Sequence, residues 1–153
     1  MTKSKTQLSV SAIKDGTVID HIPADSLFDV IQILGLNKLD NMMSLGTNME
    51  SKKLGKKAII KLSKVFFDEN DLNRIALVAP QAKLNIIKDY KVVEKRVVEI
   101  PDEIVSIAKC VNPKCITNNE NVKTRFYVVS KEKVALKCHY CEKITDKENL
   151  VIL

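Results

Sequence analysis

The chain has 153 residues, of which 45% are hydrophobic, and a formal net charge of +6. This size and composition suit one ordinary domain or two small ones, and they exclude an intrinsically disordered protein. No run approaches the roughly 18 apolar residues of a membrane helix. Residues 1–5 are polar and no apolar stretch follows them, so we expect no secretory signal and no membrane partner. The sequence predicts a cytoplasmic protein, whose thiols stay reduced.

Alternation and turn signals predict how the chain begins. Apolar residues at every second position make Gln7–Lys14 a predicted strand, and an Asp-Gly turn follows it. Helical spacing predicts a helix over Ala24–Leu34, with Asp25 as its N-cap and Gly35 as its end. The expected apolar stripe of this helix consists of Leu27, Phe28, Ile31 and Leu34.

Four further strands and a second helix complete the first hundred residues. The strands are predicted over 41–48, 58–66, 83–88 and 91–100. Asp68 is expected to cap the second helix, with Asp71 three residues on, and the helix is expected to end before Pro80. Its predicted apolar stripe is Leu72, Ile75, Ala76 and Ala79. The order β-α-β-β-α-β with an extra strand predicts an α+β, ferredoxin-like domain, in which two helices cover one face of an antiparallel sheet.

A boundary is predicted near residue 101, giving domains at 1–100 and 101–153. The second is expected to be a small β, zinc-ribbon-like (rubredoxin-like) domain. Its hairpin is predicted from Arg125–Val129 and Val134–Lys137, and the apolar end Leu150–Leu153 is expected to pack on that hairpin.

The four cysteines of the chain form two close pairs. Four residues separate Cys110 from Cys115, two separate Cys138 from Cys141, and 22 lie between the pairs. Two disulfides and four unrelated core cysteines are the alternatives, but reduced thiols and clustering favour one shared Zn²⁺. Four thiolates leave no open coordination position, so the ion is predicted to be structural. His139 is expected to be exposed. Val111, Ile116 and Tyr140 could contact a partner protein, but core packing is the expected role of each.

The first hundred residues carry 16 basic and 12 acidic side chains, and the remaining residues carry 9 and 7. Four thiolates with one zinc ion would bring the net +2 of the second part to zero, so the positive excess would then lie in the first hundred residues. Lys57 and Lys61 share one face of a predicted strand about 13 Å apart. Together with Lys95 on a later strand, they could converge on a triphosphate. Asp20 and His21 could then bind a base or a ribose. The simpler alternative is a solvated lysine-rich strand and an ordinary turn.

Several segments along the whole chain resemble the regulatory chain of aspartate carbamoyltransferase. They are Gly16–Ala24, Gly46–Asn48, Gly55–Lys57, Leu77–Ala82, and the two cysteine pairs with the stretch Ala135–Lys143. The resemblance implies a non-catalytic subunit of an enzyme of pyrimidine biosynthesis. It implies that the N-terminal domain forms homodimers and binds nucleoside triphosphates, with CTP (often with UTP) inhibiting and ATP activating. It also implies that the zinc domain contacts the catalytic chain and transmits the allosteric signal.

The resemblance also assigns nucleotide-binding residues. Lys57, Lys61 and Lys95 match positions that hold phosphate and ribose, and Asp20 and His21 match further nucleotide contacts. The base and ribose pocket corresponds to Val10, Ala12, Ile13, Val18, Ile87, Tyr90 and Val92, with Asn85 as a polar contact. Ser11 stands where the family often has a glutamate beside the base, so this chain lacks a charge and an acceptor there.

Two other functions are weighed against this interpretation. A zinc-ribbon protein that binds nucleic acid would account for the basic surface, but the chain has only three arginines and 5% aromatic residues, and base readout usually draws on both. An enzyme using Asp20 and His21 as an acid–base pair would need a nucleophile, a phosphate loop or an open metal site, and the sequence offers none.

Overall fold

The computed structural model describes residues 12–153. The chain divides into two compact units, an N-terminal unit ending at Val98 and a C-terminal unit over Glu99–Leu153. None of the helices within residues 12–153 has the length and apolar character needed to cross a membrane.

The N-terminal unit is a five-stranded sheet with two helices. Its strands lie in the order Met43–Ser51, Gly55–Ser63, Gly16–Pro23, Lys83–Lys88 and Lys91–Val97. Every neighbouring pair of strands is antiparallel. The α+β fold predicted from the sequence is therefore confirmed. The elements are β1 (Gly16–Pro23), α1 (Leu27–Ile33), β2 (Met43–Ser51), β3 (Gly55–Ser63), α2 (Glu69–Val78), β4 (Lys83–Lys88) and β5 (Lys91–Val97).

The first described strand lies later in the chain than the predicted one. Most of the predicted strand Gln7–Lys14 falls outside the described residues, and its last three residues are irregular. The strand β1 instead begins at Gly16 and ends at Pro23, and it contains a β-bulge at Asp20 and His21. Alternation along the sequence could not reveal this bulge, because an extra residue in one strand interrupts the period of two.

The first helix departs from the predicted stripe and cap. A 3₁₀ turn occupies Ala24–Ser26, and the α-helix begins only at Leu27. The buried side chains of this helix are Leu27 and Val30, whereas Phe28 is 74% exposed. Because a 3₁₀ turn has three residues per turn, it rotates the following helix relative to a continuous 3.6-residue period. Asp25 therefore is not the N-cap of the helix, while Gly35 ends it in the left-handed conformation as predicted.

The second helix matches its prediction. Asp68 accepts a hydrogen bond from the backbone N–H of Asp71, and the Asp71 carboxylate accepts one from the backbone of Asp68. This reciprocal capping box satisfies two backbone donors that the first turn leaves without partners. The apolar stripe of the helix is buried at Leu72, Ile75, Ala76 and Ala79.

The two faces of the sheet can be told apart from its register. Arg96 on β5 forms an ion pair with Glu69 of α2, so its side chain lies on the face that the helices cover. Arg96 pairs with Leu84, and Leu84 with Ile19, both fully buried on that face. Because side chains alternate along a strand, the neighbouring residues belong to the opposite face.

The C-terminal unit is a four-stranded antiparallel sheet. Its strands lie in the order Glu103–Val105, Arg125–Ser130, Ala135–Cys138 and Ile144–Thr145. The predicted hairpin between the cysteine pairs forms from the second and third of these strands. The backbone of the last residues pairs with residues 107–109 rather than with that hairpin, since Ala108 bridges Ile152. The elements are β6 (Glu103–Val105), α3 (Ile116–Asn119), β7 (Arg125–Ser130), β8 (Ala135–Cys138) and β9 (Ile144–Thr145).

Candidate metal centre and nucleotide-binding face

The structure brings all four cysteine sulfurs together in the C-terminal unit. Their Sγ atoms lie within 4.8 Å of one another. The Cys110–Cys141 distance is 3.5 Å and the Cys115–Cys138 distance is 3.7 Å. A tetrahedral zinc ion with Zn–S bonds of about 2.3 Å separates its sulfur ligands by roughly 3.8 Å. The four sulfurs therefore fit one tetrahedral ion, and the all-thiolate set suits zinc.

The local environment shifts the pKa values of Cys110 and Cys141 in opposite directions. Burial raises the pKa of Cys110 to about 12. Burial also acts to raise the pKa of Cys141, but hydrogen bonds, first among them one from the Lys143 backbone, outweigh it and lower this pKa to about 7. Binding a metal ion must therefore displace protons, chiefly from the more buried thiols.

Side chains beside the cysteines are more exposed than expected. His139 is exposed as predicted, and its Nδ1 lies 2.8 Å from the hydroxyl of Tyr127. The expectation of core packing for its apolar neighbours is wrong, since Val111, Ile116 and Tyr140 are 42%, 43% and 45% exposed. Val111 and Tyr140 lie between paired cysteines, and Ile116 is the first residue of a four-residue helix. Such short segments have little surface to bury against a core.

Four of the predicted nucleotide-binding residues stand in one row across the N-terminal sheet. Lys61 on β3 pairs with Val18 on β1, Val18 pairs with Asn85 on β4, and Asn85 pairs with Lys95 on β5. This row belongs to the sheet face opposite the helices, because it alternates with the row that contains Arg96. We call it the lysine row. Its two lysines are three strands apart, about 14 Å between backbones, and they flank a valine and an asparagine.

Asp20 and His21 lie beside the lysine row, two and three residues beyond Val18 in the bulge of β1. The Lys57 Nζ is 3.0 Å from Oδ1 of Asp20, so this predicted phosphate ligand already has a carboxylate partner. His21 has a φ of 59°, which is uncommon for a residue with a side chain. Its Nδ1 is buried with no hydrogen-bond partner, 3.5 Å from the Asp20 carboxylate. Such strain and an unsatisfied polar atom are typical of binding sites.

Of the remaining predicted pocket residues, Ile87 and Val92 belong to the same sheet face. Ile87 is buried and pairs with Val92, which is 48% exposed. Tyr90 is 68% exposed in the two-residue turn between β4 and β5. Ala12 is exposed and Ile13 half-buried, both before β1, whereas the predicted contacts Val10 and Ser11 lie outside the described residues.

The sequence analysis missed a group of polar side chains next to the metal centre. The short helix α3 follows Cys115 directly, and its residues Thr117, Asn118 and Asn119 all hydrogen-bond to the loop from Cys110 to Cys115. The signal available in the sequence was a run of three short polar residues immediately after a metal-binding cysteine.

Comparison with known proteins relates the entire chain to one family. Residues 8–99 match the family model described as aspartate carbamoyltransferase regulatory chain, allosteric domain. Residues 102–151 match the model described as the metal binding domain of the same chain. These matches favour the regulatory-chain hypothesis over the nucleic-acid-binding and acid–base alternatives.

Curated relatives lead to the same result from distant organisms. The aspartate carbamoyltransferase regulatory chain of Bacteroides fragilis is 52% identical over 153 residues, covering 100% of both chains. That of Bacteroides thetaiotaomicron is 53% identical over the same length, again with full coverage of both. That of Pyrococcus abyssi is 54% identical over 147 residues, covering 95% of this chain and 97% of its own. The chain belongs to the family of aspartate carbamoyltransferase regulatory chains, the non-catalytic subunits that accompany a catalytic chain and carry an allosteric and a metal-binding domain.

Proposed function

We propose that the N-terminal unit binds nucleoside triphosphates on the sheet face opposite its helices, with CTP inhibiting and ATP activating the enzyme. The observation that carries this proposal is the lysine row, together with the strained His21 three residues beyond Val18 on β1. A rigid sheet holds these side chains at fixed spacing before any ligand arrives, so binding costs little ordering of the protein.

The chemistry of the row matches the parts of a nucleotide. Lys61 and Lys95 supply cations for phosphate oxygens, and their side chains are long enough to reach toward each other over the intervening strands. Val92, which is 48% exposed and pairs with Ile87, offers an apolar surface for a base or ribose. Asn85 has both donors and an acceptor for a base edge or a hydroxyl group. Asp20 is paired with Lys57 and also offers carboxylate oxygens to a ribose hydroxyl.

We further propose that the C-terminal unit conveys the effector signal to the catalytic chain. The support is the exposed apolar group around the metal centre formed by Val111, Ile116 and Tyr140. Apolar and aromatic side chains that are exposed in the free chain often form the core of a protein interface once the partner covers them. Coupling then requires that CTP and ATP bind unequally to two states of the assembly.

Homodimers through the N-terminal unit are the third part of the proposal. Large apolar side chains are exposed on this unit, among them Phe28 at 74% and Met42 at 73%. Their burial against a second copy would remove apolar surface from water. Sedimentation of the chain without its catalytic partner measures this association directly.

The proposal is tested by calorimetric titration of CTP and ATP into the isolated chain at moderate salt. We expect saturable one-site binding by the wild type. The Lys61→Ala, Lys95→Ala double variant should bind at least tenfold more weakly, because two cations facing the phosphates are lost. Addition of the catalytic chain then measures the sign of each effect on activity.

The matched control is the Lys38→Ala, Lys53→Ala double variant, which loses the same charge away from the lysine row. It should bind nucleotides within a factor of two of the wild type. Equal weakening by both double variants would reduce the effect to net charge and refute the assigned site. Absence of binding by a folded, metal-containing wild-type chain would contradict nucleotide binding by the isolated chain.

A further inference from the structure

The loop between the first two cysteines is held by side chains from the short helix that follows it. The Nδ2 of Asn118 donates to the backbone carbonyl of Cys110 at 3.0 Å and to that of Asn112 at 2.7 Å. Both partners are carbonyl oxygens, which only accept, so the amide must present its NH₂ group to them. One side chain thus uses both of its hydrogens to join the first metal-binding residue to the middle of the loop.

The neighbours of Asn118 support the same loop from two other directions. Asn119 Nδ2 donates to the carbonyls of Pro113 and Cys115 at 2.9 and 2.8 Å. Thr117 donates its hydroxyl hydrogen to the Cys115 sulfur, with an Oγ1–Sγ distance of 3.3 Å. Three consecutive side chains of α3 therefore all act on the loop and none on the second cysteine pair among the described contacts.

The spacing of the first pair explains why such support is needed. Four residues separate its cysteines, against two in the second pair, and the longer loop has more backbone conformations to lose when an ion binds. Hydrogen bonds that hold the loop in its metal-bound conformation offset part of that entropic cost.

We propose that Asn118 is a positioning residue for the metal centre, which holds the Cys110–Cys115 loop in its metal-binding conformation through its two carbonyl contacts and thereby tightens metal binding. It does not touch the ion. Residues that orient metal ligands in this way typically contribute a factor of about 10–100 in metal affinity. The effect acts through the first cysteine pair, whose loop carries both of the carbonyl oxygens that Asn118 contacts.

The test compares Asn118→Asp with Asn121→Asp in the full chain under reducing conditions. The two substitutions make the same chemical change three residues apart, and Asn121 is an exposed residue of the loop that follows α3. Aspartate keeps the size of asparagine but has no N–H, so at position 118 it would set a carboxylate against two carbonyl oxygens. Zinc affinity is measured by competition with a chromogenic chelator, and Co²⁺ is used to record the visible spectrum of the site.

We expect zinc affinity to fall 10–100-fold for Asn118→Asp relative to Asn121→Asp. The Co²⁺ spectrum at saturation should still show tetrahedral thiolate coordination, because the ligands themselves are intact. Asn118→Ala, which removes the contacts without adding charge, should show a loss in the same direction. Equal zinc affinity of Asn118→Asp and Asn121→Asp would overturn the proposal, and so would wild-type affinity in Asn118→Ala. A Co²⁺ spectrum with altered coordination would also overturn it, since Asn118 would then determine the ligand set itself.

Discussion

Gly16 shows how one residue can decide whether two strands can pair. Its φ is +147°, and a Cβ built on its backbone would lie 1.9 Å from the carbonyl oxygen of Leu62 on β3. No side chain other than hydrogen fits there, because the contact is with backbone and cannot rotate away. The position lies at the start of β1, between β3 and β4, so any displacement of Gly16 affects both pairings of the strand.

We therefore expect Gly16→Ala to lower the free energy of unfolding of the N-terminal unit by roughly 2–4 kcal/mol. Urea unfolding of the full chain measures the change. Gly35→Ala is the control, because its φ is +63° but no atom lies within 4 Å of the added Cβ. For Gly35→Ala the free energy of unfolding should fall by only about 1–2 kcal/mol, the cost of holding a residue with a side chain in the left-handed conformation. A loss for Gly16→Ala no larger than that for Gly35→Ala would show that β1 moves to admit the methyl group.

Residues of the proposed site illustrate what a sequence can and cannot predict. The alternation of side chains along β3 placed Lys57 and Lys61 on one face, and the structure bears out that placement. The carboxylate partner of Lys57 was not predictable, because Asp20 reaches it only through a bulge. The role of Asn118 was not predictable either, since its two acceptors are backbone atoms that no residue pattern encodes.

At the scale of the elements, the sequence predicted the features that depend on residues close together in the chain, such as a helix cap or a hairpin. The capping box of α2 is specified by two residues three positions apart, and the sequence alone identified it. The face of α1 was mispredicted because a preceding 3₁₀ turn changes the helical phase, which depends on how the chain leaves β1. The hairpins β4–β5 and β7–β8 were predicted because turn residues separate two runs rich in branched side chains.

The capping box of α2 gives a prediction at this scale. Asp68→Ala removes the side-chain acceptor for the Asp71 N–H, so we expect the N-terminal unit to lose about 1 kcal/mol of stability. Thermal or urea unfolding measures the loss. Asn70→Ala, an exposed residue in the first turn of the same helix, should change stability by less than about 0.5 kcal/mol. Equal losses in both variants would mean that the Asp68 cap hydrogen bond is not the source of the lost stability.

At the scale of the whole molecule, the two units depend on different sources of stability. The N-terminal unit buries a continuous set of aliphatic side chains between its sheet and helices, including Ile19, Ile60 and Leu84. The C-terminal unit spans only Glu99–Leu153, and a chain of this length rarely gains enough from its core alone to fold stably. Its four cysteine sulfurs lie within 4.8 Å of one another, and they add stability to the unit only when an ion links them.

Removal of the metal should consequently unfold one unit and spare the other. We expect chelation under reducing conditions to expose the backbone amides of the C-terminal unit, because its binding free energy for zinc is also its folding free energy. The amides of β1, β3 and β4 should stay protected, since their sheet and core contain no metal ligand among the described residues. Hydrogen exchange read by mass spectrometry separates the two regions within one sample. Restored zinc should return the protection, which distinguishes reversible unfolding from aggregation or oxidation. Protection of the C-terminal amides that survives complete metal removal would mean that this small sheet is stable by its own packing, and that the four cysteines serve something other than its fold.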